Sequence, residues 1–204
     1  MPQTLEKFAA DCHRILKAEP GPAGRQKVCA LLQEVLKDEA FVAKYVGEGT
    51  PERKVIYEDP ELGFCICGHV YEKPAHGSPH DHGSSWAIYG VALGDTEMSD
   101  WRIVKKGDGT SPTLVERERT YLMKPGDSHL YDVGAVHSPK RDTITKLVRI
   151  EGANLDRVVS PYTSTQSGLA SASTGSRPAR MPATCHGESI NLLNSHHPSE
   201  HYTA

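Results

Sequence analysis

Two histidines separated by one residue, His80 and His82, carry the clearest chemical signal in this sequence. Side chains alternate along an extended chain, so both imidazoles would point to the same side at the mouth of a strand. One metal ion can bind both of them. A third ligand must come from elsewhere, and the stretch 126–137 offers His129 and His137. A lone histidine is more often a hydrogen-bonded core residue, so the prediction rests on the group.

Two amphipathic helices are predicted upstream of this pair. Apolar residues recur at steps of three and four along residues 5–16, which indicates one buried helical stripe. The sequence Pro-Gly-Pro at 20–22 breaks that pattern, and a second stripe runs over residues 28–36 and continues less regularly to Tyr45. Residues 1–48 are therefore expected to form a helical region packed on the rest of the chain.

From residue 54 the pattern changes to short runs rich in β-branched and aromatic residues, separated by Gly, Pro and Asp. We count about seven strands: KVIY, GFCICGHVY, WAIYGVAL, EMSDWRIV, LVERERTYLM, SHLYDV and TITKLVRI. That number is typical of a jelly roll or barrel, which closes its own edges. The sequence predicts an all-β domain over residues 49–160.

The last part of the chain, residues 161–204, is rich in Ser, Thr, Gly, Ala and Pro. It has too little apolar surface to offset the entropy of ordering, so a disordered tail is predicted. Its possible metal ligands match no established zinc-finger spacing, and we expect no metal at Cys185, His186, His196, His197 and His201.

Composition excludes several classes of partner. The 204 residues carry a formal charge of −3 without a basic stripe, which argues against a nucleic-acid partner. No stretch approaches the ~20 apolar residues that span a bilayer, and no export signal is recognisable at the start, so no membrane association is expected. The five cysteines are an odd number without framework spacing, which favours reduced thiols and a cytoplasmic location.

The two histidine-bearing segments resemble the motifs of the cupin superfamily. Its first motif carries His-x-His, then a glutamate and a glycine; its second motif carries two glycines and a histidine, matched here by Gly126, Gly134 and His137. Asp132 stands where a proline is usual, and Arg141 stands where an asparagine often follows the histidine. The resemblance implies a cupin double-stranded β-helix, a jelly-roll barrel, with two N-terminal helices.

The same resemblance favours His137 as the third metal ligand, with His129 as the alternative. Gly94 fits the trailing glycine of the first motif, and this places the usual glutamate ligand at Ala87. Alanine cannot bind metal, so a site of three neutral histidines is expected. Within the cupins, this departure is similar to the cysteine-type thiol dioxygenases. The implied metal is ferrous iron, Fe(2+), with Zn, Ni and Mn as alternatives.

Further candidates follow from position. Arg53 sits about where those dioxygenases carry a carboxylate-binding arginine, although its loop-like context also fits a solvated charge. Their Ser-x-His-x-Tyr relay is absent. Arg149 and Glu151 share one face of a late strand, either inside the barrel or as an exposed salt bridge. Tyr89 shares the face of Ala87 and is predicted to point toward the metal, unless it is an ordinary core aromatic.

The leading hypothesis is a mononuclear non-haem iron dioxygenase that oxidises a small carboxylated substrate, for instance a thiol, with O2. Arg53 or Arg149 would anchor the carboxylate, and Tyr89 with Glu151 or His129 would manage protons or orientation. The alternatives are a non-oxidative metal enzyme (lyase, isomerase or hydrolase) and a non-catalytic small-molecule-binding cupin. The local sequence looks more like a group of predicted metal-dependent bacterial cupin enzymes than like mammalian-type cysteine dioxygenase. The oligomeric state stays open, with a homodimer as one alternative.

Overall fold

A computed structural model of the chain describes residues 3–107, 112–157 and 201–203. It begins with three helices, α1 (Leu5–Ala18), α2 (Pro22–Val35) and α3 (Glu39–Tyr45), where the sequence predicted two. The predicted second helix divides because the Asp38 carboxylate accepts hydrogen bonds from the backbone N–H groups of Ala40 and Phe41. An aspartate in this N-cap position starts a new helix.

Ten strands follow in the described residues, three more than predicted. They are β1 (Lys54–Glu58), β2 (Cys65–Tyr71), β3 (Ala75–His76), β4 (Ala87–Leu93), β5 (Thr96–Lys105), β6 (Leu114–Met123), β7 (Ser128–Tyr131), β8 (Val136–Arg141), β9 (Thr145–Glu151) and β10 (His201–Thr203). Strand β8 escaped prediction because Pro139 lies inside it, and a proline argues against a strand.

The strands form two five-stranded antiparallel sheets. The first has the order β1-β2-β9-β4-β7, and the second has the order β10-β6-β5-β8-β3. Strands that follow one another in the chain repeatedly cross from one sheet to the other, which is the topology of a double-stranded β-helix. The predicted fold class, an all-β cupin barrel, is confirmed.

The three helices cover the outer face of the first sheet, and one hydrophobic cluster joins them to it. Two glycines permit this close approach. A Cβ atom at Gly68 would lie 2.5 Å from the carbonyl oxygen of Tyr45, and one at Gly90 would lie 2.6 Å from Cδ2 of Leu32. Apolar side chains on the outer face of the sheet therefore pack against helices, and the inner face is free to carry polar groups.

The predicted disordered tail lies outside the described residues, apart from 201–203. These three residues form β10 and pair with Glu116, Val115 and Leu114 of β6, so for them the prediction of disorder is wrong. Unpaired backbone groups along an edge strand readily accept another strand, which supplies the physical reason. Within the described ranges, no helix is long and apolar enough to cross a membrane.

Candidate metal centre

Three histidines from two parts of the chain converge inside the barrel. The possible ligand atoms of His80, His82 and His137 all lie within 4.8 Å of one another. Backbone pairing fixes two of them, because the His80 N–H donates to the His137 carbonyl at 3.0 Å and the His137 N–H donates to the His80 carbonyl at 2.9 Å. The structure thus brings together the triad in which the sequence predicted His137 as the third member.

Backbone carbonyls set the tautomers of two of these rings. Nδ1 of His80 lies 2.8 Å from the Ser78 carbonyl oxygen, and Nδ1 of His137 lies 3.0 Å from the Ala135 carbonyl oxygen. A carbonyl oxygen only accepts, so Nδ1 carries the proton in both rings and Nε2 keeps its lone pair. Burial lowers the pKa of His80 and lowers that of His137 to about 3. Both imidazoles are neutral near pH 7, as a metal ligand must be.

The third histidine, His82, contacts a cation and a hydroxyl group. Nη2 of Arg149 lies 3.5 Å from its Nδ1 and 3.4 Å from its Nε2. The Tyr89 hydroxyl lies 3.3 Å from Nε2 of His82 and 3.4 Å from Nε2 of His137. Burial, followed by the charge of Arg149, lowers the pKa of His82 far below its usual value. Tyr89 is buried as a core aromatic would be, and its hydroxyl also contacts two candidate ligands.

Arg149 and Glu151 face the interior of the barrel. Their side chains are only 12% and 0% exposed, which excludes the alternative of an exposed salt bridge. Nε of Arg149 lies 3.0 Å from Oε1 of Glu151, at ion-pair distance but outside hydrogen-bond geometry. The charged face looks inward because the opposite face, with Val148 and Ile150, packs under the helices. A buried charge of this kind requires a partner, and each of these two residues supplies it for the other.

Arg53 binds Glu151, the acidic member of this pair. Its Nη1 and Nη2 donate to the two carboxylate oxygens of Glu151 at 2.8 and 3.0 Å, and its Nε donates to Asp156 at 2.8 Å. The alternative of a solvated charge is therefore wrong. The guanidinium fork predicted for a substrate carboxylate is therefore occupied by Glu151.

His129 lies outside the triad. It pairs with Tyr89 across β4 and β7, and its ring centroid lies 5.2 Å from Tyr121 and 4.8 Å from Tyr131. Burial lowers its pKa. The ring that stacks directly on His137 is Tyr131, at 3.9 Å between centroids. His129 is thus a neighbour of the site and does not compete with His137 for the group of three.

Ala87 occupies the position of the missing carboxylate ligand. It is fully buried inside the barrel and pairs with Glu151 of β9 and Tyr131 of β7. A glutamate there would lie beside the buried carboxylate of Glu151, and two adjacent carboxylates repel each other. The neighbouring Glu151 therefore disfavours a fourth, anionic ligand at this position.

Sequence reasoning missed two features of the barrel interior. Cys65, Cys67 and Glu151 form a second buried group that could hold a metal, and the two sulfur atoms lie 3.6 Å apart. Both cysteines are free. The Cys-x-Cys spacing of β2 was the available signal, since it puts both thiols on one face. The second feature is Arg141, which is buried on β8.

Several solved structures are similar to about half of this chain at low sequence identity. KdgF from Halomonas sp. is 19% identical over 48% of this chain and 74% of that chain, with a TM-score of 0.36. A double-stranded β-helix protein from Klebsiella pneumoniae is 18% identical (54% and 80% covered, TM-score 0.38). A putative mannose-6-phosphate isomerase from Ralstonia eutropha is 16% identical (53% and 90% covered, TM-score 0.38).

The sequence matches no protein-family model, and no curated protein matches it. Similarity to the solved structures at these TM-scores carries no argument about activity. The function has to be argued from the residues of the site.

Proposed function

We propose that this chain is a mononuclear non-haem iron dioxygenase that oxidises a small anionic substrate, such as a carboxylated thiol, with O2. His80, His82 and His137 would hold Fe(2+). A bound ferrous ion would supply the one-electron chemistry that triplet dioxygen needs to react with a closed-shell substrate. Both oxygen atoms of O2 would enter the product.

One observation carries the proposal: the triad is neutral and has a buried cation beside it. Three imidazoles leave the full charge of a divalent ion uncompensated, and Ala87 contributes no carboxylate. Arg149 adds a further positive charge against His82. An anionic substrate balances both charges, and three protein ligands leave positions open for it.

Arg149 would orient the substrate in this scheme. It is the guanidinium closest to the triad, and Glu151 fixes it from the far side at 3.0 Å. Its Nε lies next to Glu151, whereas its Nη2 contacts the ring nitrogens of His82. A guanidinium held in this way can donate to a substrate oxyanion without reorganisation, and this is how fixed donors favour a reaction.

Tyr89 would hold or deliver a proton next to the ligand atoms. Its hydroxyl lies within 3.4 Å of Nε2 of both His82 and His137. Burial raises the pKa of Tyr89, so the hydroxyl keeps its proton at neutral pH and is available as a donor. His129 packs against Tyr121 and Tyr131 and would not share this role directly. It would instead support Tyr89, its cross-strand neighbour.

Glu151 and Arg53 would act as supports for Arg149. Both oxygen atoms of Glu151 accept from Arg53, and one also pairs with Arg149. The position of Arg149 depends on this buried network, in the way that ligand orientation depends on the residues behind it.

The test is oxygen uptake by reconstituted protein. The chain is purified without a metal-affinity tag, its metals are measured, and it is loaded anaerobically with Fe(2+). Oxygen consumption is then followed over a panel of small carboxylated thiols and their neutral analogues. We expect uptake with anionic members of the panel, one O2 consumed per substrate oxidised. His137→Ala should abolish uptake and His129→Ala should retain it. Full iron occupancy with no uptake on any substrate would overturn the proposal.

A second candidate is a zinc, nickel or manganese enzyme that uses the metal as a Lewis acid. The observation in its favour is the ligand set itself, because three imidazole nitrogens suit these ions as well as iron. Such an enzyme would consume no oxygen. Substrate turnover by the zinc form under anaerobic conditions would favour this candidate over the dioxygenase.

A further inference from the structure

Arg141 is a buried cation on the strand that carries His137. The residues His137, Pro139 and Arg141 alternate along β8 on its buried face, and Arg141 is only 3% exposed. Its guanidinium carbon lies 4.3 Å from the centroid of the Tyr71 ring. Arg141 therefore points into the same barrel interior as the metal ligands.

This guanidinium has no anionic partner among the residues that the structure describes. No carboxylate lies within ion-pair distance of it, and its buried Nε has no hydrogen-bond partner. Arg53 and Arg149, the other guanidinium groups of the interior, both pair with Glu151. Burial lowers the pKa of Arg141, but an arginine stays protonated under these conditions. An unpaired buried charge is unfavourable, and a partner from outside the chain would offset that cost.

A second buried polar side chain, His69, lies next to Tyr71. Nδ1 of His69 lies 3.4 Å from the Tyr71 hydroxyl, whereas its Nε2 is buried without a partner. Burial lowers the pKa of His69 to about 3, so the ring is neutral. Polar groups buried in this way normally have a partner. Arg141 and His69 thus both contact Tyr71, and Nε of Arg141 keeps unused hydrogen-bonding capacity.

A cavity lies next to Tyr71, along the end of β2 and the start of β3. It has a volume of about 500 Å³, and Tyr71 and Ala75 line it with residues 49–52 and 72–74. Ala75 is the backbone partner of Arg141 across β3 and β8. Tyr71 thus belongs both to the lining of this cavity and to the contact with Arg141.

Among the described residues, the interior also has an excess of positive charge. Three guanidinium groups, those of Arg53, Arg149 and Arg141, face two carboxylates, Glu151 and the more exposed Asp156, and the three candidate ligands of the triad are neutral. A divalent metal would add to this excess. The missing partner is therefore an anion, and a planar carboxylate matches a guanidinium fork through two parallel hydrogen bonds.

We propose that Arg141 binds the carboxylate of the substrate and determines the preference for anionic substrates. The inference rests on the proposed function for the claim that a substrate occupies the barrel. It moves the carboxylate anchor away from Arg53, whose fork Glu151 occupies. Arg141 stands where the cupin motif often has an asparagine, so this anchor is a feature of the chain's own sequence.

The test uses zinc-loaded protein, which binds ligands without oxygen chemistry. Mercaptoacetate and its neutral analogue 2-mercaptoethanol are titrated by calorimetry into the wild type, Arg141→Lys and Arg141→Met. The exposed Arg102→Met serves as the control. We expect the wild type and the control to prefer mercaptoacetate. Arg141→Met should lose that preference by about 10- to 100-fold, the range of charge-assisted hydrogen bonds. Arg141→Lys should retain part of it.

A stability measurement separates a binding role from a structural one. Because Arg141 is unpaired, Arg141→Met should raise the melting temperature of metal-free, ligand-free protein, as replacement of buried charge by an apolar group can. A structural arginine would instead leave a less stable protein. An unchanged mercaptoacetate preference in Arg141→Met, or a lower melting temperature, overturns the assignment. Neither result bears on oxygen uptake, so the proposed function is judged separately.

Preference for inorganic phosphate over carboxylates in the same titration would also count against a carboxylate anchor. It would assign a phosphate-bearing ligand to Arg141 instead. Propionate is also titrated into metal-free protein, where binding depends on Arg141 without help from the triad. Binding to the wild type that is lost in Arg141→Met is the expected result.

Discussion

Nη2 of Arg149 lies 3.4 Å from Nε2 of His82, so a buried guanidinium is in contact with one of the three candidate metal ligands. Glu151 balances this cation on one side only, and Arg53 already shares the same carboxylate. The triad consequently sits in a positive environment before any metal binds. The metal affinity of the site depends on that charge.

Removal of the charge should strengthen metal binding. Arg149→Met takes away a cation that repels a divalent ion, and at close range this repulsion amounts to several kcal/mol even when the interior is strongly screened. We expect zinc affinity, measured by competition with a chromophoric chelator, to rise by about tenfold or more. Arg53 continues to pair with Glu151, so the carboxylate keeps a partner.

The matched control for this prediction is Arg102→Met, which removes an exposed guanidinium paired with Glu116. Surface pairs contribute little, and zinc affinity should not change. Weaker zinc binding by Arg149→Met would show that the guanidinium supports His82 rather than opposing the metal.

The choice between His137 and His129 gives a second prediction. His137→Ala removes an Nε2 atom from the group of three, so metal affinity should fall by at least about 100-fold. His129→Ala leaves the triad intact, and its metal content, determined by elemental analysis after dialysis, should equal that of the wild type. Equal losses in both variants would contradict the assignment of the third ligand.

The pH dependence of stability follows from His69, which is buried and outside the triad. Its pKa falls from 6.5 to about 3 on folding, so the unfolded chain binds more protons between these values. Stability therefore rises with pH across this window and is lost as pH falls below about 6.5, by about 1.4 kcal/mol per pH unit for each such histidine.

Urea unfolding of metal-free protein between pH 7 and pH 5 measures this slope. His69→Gln should make it shallower by one histidine's contribution, while the triad contributes equally in both proteins. His76→Gln is the control, because His76 is exposed. A slope that His69→Gln leaves unchanged would mean that His69 is protonated in the folded state.

Helix packing on the barrel depends on two glycines with different neighbours. A Cβ atom at Gly68 would meet the backbone oxygen of Tyr45, whereas one at Gly90 would meet the movable ends of Leu32 and Leu36. Gly68→Ala should therefore destabilise the fold by about 1–3 kcal/mol in urea unfolding, and Gly90→Ala by clearly less. A larger loss of stability in Gly90→Ala than in Gly68→Ala would show that the contact with α2 tolerates an added Cβ atom less well than the contact with Tyr45.

Local sequence patterns were enough to predict the fold class and two of the three candidate metal ligands. Alternation along a strand put His80 and His82 on one side, and short β-rich runs indicated an all-β barrel. The third helix was missed because the apolar stripe of α2 runs on past Asp38, whose capping role is visible only once its carboxylate meets the N–H groups of Ala40 and Phe41. Strand β8 was missed because of Pro139, although a strand in a barrel accommodates it.

The sequence by itself determined that two histidines share a side, that Ala87 cannot replace a glutamate ligand, and that the chain builds a β-barrel. These conclusions depend on neighbours one or two residues apart. Tertiary structure decided the rest: His137 rather than His129 joins the triad because β8 pairs with His80. It also placed Arg53 on Glu151 and left Arg141 without a partner. Such relationships depend on which distant strands become neighbours. The alternation of side chains along one strand does not determine that.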